Sequence, residues 1–159
     1  VEPARAVVEI ANLAATEALG RRLGERLFPG AVVALNGPLG AGKTHLVRAI
    51  AEGLGVANPA AVNSPTFVLI QEYDARLPIY HFDTYRLGAV REFAELGAAE
   101  YFSAGGVCLI EWADRVEQAL PTESLRIAIE VVDADRRRFL IEGRGPRYAE
   151  LLRQLLSPD

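Results

Sequence analysis

Lysine is almost missing from this chain: of 17 basic residues, Lys43 is the single lysine and the rest are arginines. Methionine is absent, and cysteine and tryptophan occur once each, as Cys108 and Trp112. A lone cysteine excludes an intrachain disulfide, which fits a reducing compartment. No apolar run approaches the roughly 18–20 residues of a membrane-spanning helix. The first residues lack the charged-then-apolar plan of a signal peptide, so a cytoplasmic protein without membrane contact is expected. Basic excess is lacking too. With 21 acidic residues the net charge is -4 and the pI about 5.3, whereas a free-standing nucleic-acid binder shows a basic face. Contact with RNA is expected mainly through a partner.

Half of the 159 residues are hydrophobic, enough for one domain spanning residues 1–159 with a proper core. Residues 7–11 read as a short edge strand. Asn12 reads as the cap of a helix reaching about Leu27, with Ala15, Leu19, Leu23 and Leu27 as its apolar stripe. Residues 31–35 form a continuous apolar run, the pattern of a strand buried on both faces. A helix follows from near Lys43, with Leu46, Val47, Ile50 and Leu54 inward and Gly55 as its stop. Residues 67–73 and 79–83 read as a strand hairpin, 88–99 as weakly helical, and 107–110 as a short buried strand. Residues 125–132 and 137–142 read as a second hairpin turning at 133–135, and 148–156 as a closing helix. The expected fold is α/β: a single domain with a mixed sheet flanked by helices.

Between the doubly buried strand and the next helix stands Gly37-Pro38-Leu39-Gly40-Ala41-Gly42-Lys43-Thr44. Such a loop turns its backbone N–H groups inward where a helix N-terminus adds positive potential. The lysine reaches the terminal phosphates, and the hydroxyl binds magnesium. A chain that uses arginine nearly everywhere still places an ammonium here, because the wide guanidinium fork is a poor fit in a tight cradle. The α/β domain is thus expected to be a single P-loop NTPase-like domain, with ATP and Mg2+ as its ligands. Asp83 and Glu111 each end an expected strand, where a carboxylate steadies magnesium or positions water. From position alone each reads equally as a solvated strand-end acid. Ser64-Pro65-Thr66-Phe67 reads as a γ-phosphate-sensing segment or as a plain Ser-Pro turn. By default Trp112 is a packed aromatic, His45 a helix-surface residue and His81 a strand residue. Cys108 is a small core residue, and Arg136, Arg137 and Arg138 are a solvated hairpin edge.

Thr16 with Leu19-Gly20, the loop from Gly37 to Thr44, Ser64-Pro65-Thr66-Phe67, His81-Phe82-Asp83-Thr84-Tyr85-Arg86-Leu87 and Glu111-Trp112 occur in that order. Together they resemble the TsaE family, the bacterial ATPases of tRNA threonylcarbamoyladenosine modification. The match covers about residues 12 to 115. Pro38 stands where the family usually has an acid, and Thr84 where it has Leu. The resemblance implies Lys43 on the phosphates, Thr44 and Glu111 on magnesium, and Asp83 as the acid that orients or activates water. It also implies Trp112 beside Glu111, and Thr16 and Thr66 near the nucleotide. Activity would be a slow ATPase stimulated by a TsaB–TsaD pair, with tRNA reached only through that complex. Two other readings remain at this level: a small-molecule P-loop kinase, and a nucleotide-gated binding module with little turnover. A GTPase is disfavoured, because the guanine-reading Asn-Lys-x-Asp needs a lysine and the only one is in the loop.

Overall fold

The computed structural model describes residues 3–63, 70–85 and 90–157. Its strands are β1 (Ala4–Ile10), β2 (Val32–Asn36), β3 (Ile70–Tyr73), β4 (Ile79–Asp83), β5 (Val107–Glu111), β6 (Ser124–Val131) and β7 (Arg137–Arg144). They form one seven-stranded sheet in the order β1-β7-β6-β2-β5-β4-β3. β2 pairs in parallel with both β5 and β6, and β5 in parallel with β4. The outer pairs β1–β7, β6–β7 and β3–β4 are antiparallel, so the sheet is mixed, as expected. The C-terminal ends of β2, β4, β5 and β6 consequently open on one edge, where ligands of such sheets bind.

The apolar run is β2, and its side chains divide between two cores. Val33 and Leu35 join one cluster, Val32 and Ala34 the other. The helices α1 (Leu13–Arg26), α2 (Lys43–Gly53) and α5 (Pro146–Leu156) contribute to the first core. The second holds Phe93 of α3 (Val90–Glu95), Ala98 of α4 (Ala98–Phe102), and Ala113 and Val116 of a 3-10 helix (Ala113–Ala119). Cys108 lies in this second core, where burial pushes its thiol up to about 12 and leaves it an inert apolar group.

α1 begins as its sequence says: the Asn12 side-chain oxygen accepts the Ala15 N–H at 3.0 Å. Leu19, Leu23 and Leu27 of the expected stripe are buried. α1 and α2 run parallel and nearly in backbone contact. A Cβ on Gly20 would lie 2.5 Å from Ala49 Cβ, and one on Gly24 only 2.1 Å from Ile50 O. The Leu19-Gly20 pair thus has a physical meaning: the leucine fills the core and the glycine lets the helices close.

Some expectations shift. β1 starts at Ala4 rather than residue 7, because it pairs along its whole length, from Ala4↔Gly143 to Ile10↔Arg137. The weak helix expected over 88–99 is described from Val90 and divides at Gly97, whose φ is 82°. The segment after Glu111 was expected to pass into a hairpin, yet the 3-10 helix intervenes, held by buried Ala113 and Val116. Ser64, Pro65, Thr66, Phe67, Arg86 and Leu87 lie outside the described residues, and with them the γ-phosphate-sensing segment and the expected Thr66 contact.

Gly24→Ala tests the helix contact. On an exposed helix alanine gains about 1 kcal/mol over glycine. Here overpacking of about 1–3 kcal/mol or more opposes that gain, because the obstacle is backbone. Calorimetry should show a lower melting temperature, and a rise would contradict the close approach.

Candidate nucleotide-binding site

The loop between β2 and α2 turns on Gly40 and Gly42, whose φ values of 79° and 101° lie in the left-handed region. An added Cβ would meet nothing within 4 Å at either. Glycine is therefore required by the backbone conformation, not by crowding. Gly42 also caps α2, so the helix N-terminus faces the loop. Pro38 and Leu39 form the outer rim, Leu39 being 72% exposed, while Ala41 is buried.

Lys43, the first residue of α2, is only 6% exposed. Its Nζ donates to the carbonyl oxygens of Gly37 at 2.5 Å and Pro38 at 3.0 Å. The same ammonium lies 3.9 Å from the centroid of the Trp112 ring. Burial holds its pKa below the usual lysine value, against the opposing charges of Glu111, Asp83 and Asp114. The lysine thus folds back over its own loop, between carbonyls and an aromatic face.

Parallel pairing of β4 and β5 sets Asp83 opposite Glu111, and pairing of β5 with β2 sets Glu111 opposite Leu35. Glu111 is 2% exposed. Fully buried His81 places Nε2 2.6 Å from Glu111 Oε2. A carboxylate only accepts, so the hydrogen is assigned to Nε2. Nδ1 of His81 has no hydrogen-bond partner among the described residues. Asp83 is half-buried and accepts the Tyr85 N–H on Oδ1 at 2.9 Å. Desolvation raises its carboxyl above the usual range, with the Tyr85 N–H pulling the other way.

Trp112 is the one non-glycine residue of positive φ among the described residues, at 59°. For so bulky a side chain this conformation is strained by roughly 1–3 kcal/mol. Its surroundings hold it there. The Thr84 hydroxyl lies 2.6 Å from Trp112 O and 2.9 Å from Glu111 O. The indole lies 4.8 Å from the Tyr85 ring at a 49° tilt, and the Arg115 guanidinium lies over both rings.

Thr44, next to Lys43, is part-exposed on the first turn of α2. Thr16 is 4% exposed and lies one turn before Gly20. The parallel packing of α1 on α2 sets it level with that first turn. Among the described residues no group of three or more His, Cys, Asp or Glu side chains is placed to hold a metal. A Thr44 hydroxyl and a Glu111 carboxylate instead suit Mg2+, which keeps waters and takes phosphate oxygens as ligands. His45 is an exposed helix residue, as expected.

Two contributors stand inside a quoted motif, but the sequence assigns them no role: His81 and Thr84. His81 carries a signal in hindsight: it stands two residues before Asp83, hence on the same face of β4. Thr84 carries none, since its partners belong to another strand.

A glycine turn with one lysine between a doubly buried parallel strand and a helix, flanked by strand-end acids, defines the P-loop α/β class. Within that class, the family described as Threonylcarbamoyl adenosine biosynthesis protein TsaE matches residues 10–139. The chain belongs to the TsaE family. The protein named tRNA threonylcarbamoyladenosine biosynthesis protein TsaE from Bacillus subtilis (strain 168) is 43% identical over 145 residues, covering 91% of this chain and 89% of its own. Its namesake from Treponema pallidum (strain Nichols) is 40% identical over 122 residues, covering 77% and 89%. The crystal structure of Bacillus subtilis YdiB superposes with a TM-score of 0.81 at 36% identity, covering 98% of this chain and 96% of that one. The likeness thus runs beyond residue 115, where the motifs stop, through β6 and into β7.

Thr84→Val keeps the shape and deletes the hydroxyl. Urea unfolding should show a loss of about 1–2 kcal/mol. Trp112 emission in the folded variant should shift, because the contact holding its carbonyl is gone.

Proposed function

We propose that this chain binds MgATP on the P-loop and hydrolyses it slowly by itself. In this reading it serves tRNA threonylcarbamoyladenosine biosynthesis in the cytoplasm as an accessory protein to a TsaB–TsaD pair, meeting tRNA only through that complex. The observation that carries the reading is the single sheet edge on which β2, β5 and β4 deliver Lys43, Glu111 and Asp83. Family membership supports the pathway, and the TsaB–TsaD pair is what the resemblance implies.

The cradle fits a triphosphate: open space at Gly40 and Gly42, a helix N-terminus, and a desolvated ammonium held by carbonyls and a ring face. Lys43 exchanges its bonds to Gly37 O and Pro38 O for phosphate oxygens, a charge-assisted gain. Thr44 and Glu111 would hold magnesium, whose charge would offset that of the phosphates. His81 keeps the Glu111 carboxylate in one orientation. Asp83, its basicity raised by burial, orients water and accepts its proton. Trp112, strained and stacked against Lys43, reports on the change.

The test is direct. Isothermal titration should show at least about a tenfold loss of ATP affinity in Lys43→Ala, or about 1.4 kcal/mol. Steady-state phosphate release should be slow alone and rise when TsaB and TsaD are added. Unchanged affinity would remove the P-loop reading. Binding of the pair without any change in rate would remove partner activation.

The two acids should separate by role. Glu111→Gln should weaken the magnesium dependence of nucleotide binding as well as turnover. Asp83→Asn should keep MgATP binding while hydrolysis falls roughly 10²-fold or more. The reverse pattern would exchange the assignments.

A further inference from the structure

The three consecutive arginines at the start of β7 do not behave alike. Arg136 and Arg138 are exposed and pair with Asp133 at 2.7 Å and Glu9 at 2.8 Å, the solvated edge expected of them. Arg137 turns inward. It is the first residue of β7, with Ile10 and Val131 as its neighbours on β1 and β6. Its Nε donates to Ala41 O at 3.0 Å, and Nη2 faces Gly40 O at 3.4 Å. On the other side Nη1 faces the carbonyls of Asp133 at 2.7 Å, Arg136 at 2.9 Å and Ala134 at 3.5 Å. One planar side chain thus bridges the β6–β7 turn and the phosphate loop, and all five acceptors are main-chain oxygens.

The consequence follows from peptide geometry. In a trans peptide the carbonyl of one residue and the N–H of the next point in opposite directions. Drawing Ala41 O toward Arg137 turns the Gly42 N–H away from it. Drawing Gly40 O the same way turns the Ala41 N–H, which donates to Pro38 O at 3.1 Å. Each of these peptides has a glycine on one side, Gly40 or Gly42, so only Ala41 resists a flip through its own side chain. A flipped peptide would present a carbonyl oxygen where phosphate needs a donor. Arg137 adds an outside restraint to the loop's own Ala41 N–H bond, and a rigid fork with several donors loses less freedom per bond than a flexible ammonium does. The end of β6 adds a second contact: a Cβ on Gly37 would lie 3.0 Å from Ile129 O.

We propose that Arg137 is a positioning residue of the phosphate loop. It holds the Gly40 and Ala41 carbonyls outward so that the Gly42 N–H faces the bound phosphates, and it ties the shape of the cradle to the β6–β7 hairpin. Its donors are committed to carbonyls, so it acts through the loop rather than by touching the nucleotide. The inference rests on the nucleotide-binding reading above.

The test compares MgADP affinity by calorimetry at about 10 °C with the melting temperature of the nucleotide-free protein, for the full chain and three variants. Wild type should bind. Arg137→Ala should bind about tenfold or more weakly, while its nucleotide-free melting temperature stays close to that of wild type. Arg137→Lys keeps the charge but cannot span both loops, so it should lose nearly as much affinity, and it decides the matter if the alanine variant does not fold. Arg136→Ala, a neighbour on the same turn, should bind as wild type does. Wild-type affinity in Arg137→Ala would overturn the inference alone, as would a drop in melting temperature without a drop in affinity. Full affinity in Arg137→Lys would make charge, not carbonyl positioning, the cause and overturn it as well. Absence of binding by wild type would instead overturn the nucleotide reading, and this inference with it.

Discussion

β2 is paired in parallel on both sides, with β5 and with β6, and every functional position depends on that pairing. Parallel neighbours end on the same edge, so the loop after β2, the acid ending β5 and the turn after β6 meet in one place. Register does the rest. Leu35, Glu111 and Asp83 lie across from one another on three successive strands, a row no local sequence rule specifies. The arrangement is possible because β2 has no polar side chain before Asn36 and is sealed from water on both faces.

Such burial makes the polar groups at the end of the core expensive, and the structure answers each of them. Glu111 meets His81, Thr84 satisfies the carbonyls of Glu111 and Trp112, and Lys43 sits on two loop carbonyls. An unpaired charge at these depths would destabilise the fold by several kcal/mol. The pairings also hold the strained backbone of Trp112. α2, whose N-terminus forms part of the cradle, is in turn braced by the glycine-lined contact with α1.

The preference for arginine has a counterpart on the β1–β7 side of the sheet. Arg5 pairs with Glu142, Arg138 with Glu9, and Arg126 with Glu117. Pairs with at least one partner well exposed to solvent contribute about 0–1 kcal/mol each, so they dress the surface and do not define the fold. Arg137 alone among its neighbours exchanges a carboxylate partner for main-chain carbonyls. That links the C-terminal hairpin, which carries no recognised motif, to the phosphate loop.

Much of this was legible in the sequence. The Asn12 cap, the doubly buried strand, the glycine turn with its single lysine and the buried face of α2 are short-range patterns, each written within a few residues. β4 has the expected bounds, Ile79–Asp83, because its punctuation is local too. What the sequence could not specify is which strands adjoin. By position alone Asp83 and Glu111 were each a strand-end acid, and the resemblance gave them roles without saying how they meet; β4 laid beside β5 sets them opposite one another. His81, Thr84 and Arg137 looked ordinary because their partners stand about 27 to 97 positions away. The 3-10 helix after Trp112 was missed for the same reason: it is held by burial against the second core rather than by a periodicity of its own. Local backbone preference and hydrophobic spacing determined the elements and the phosphate loop. Only long-range strand pairing and desolvation decided which side chains became neighbours, and hence how the cradle is held.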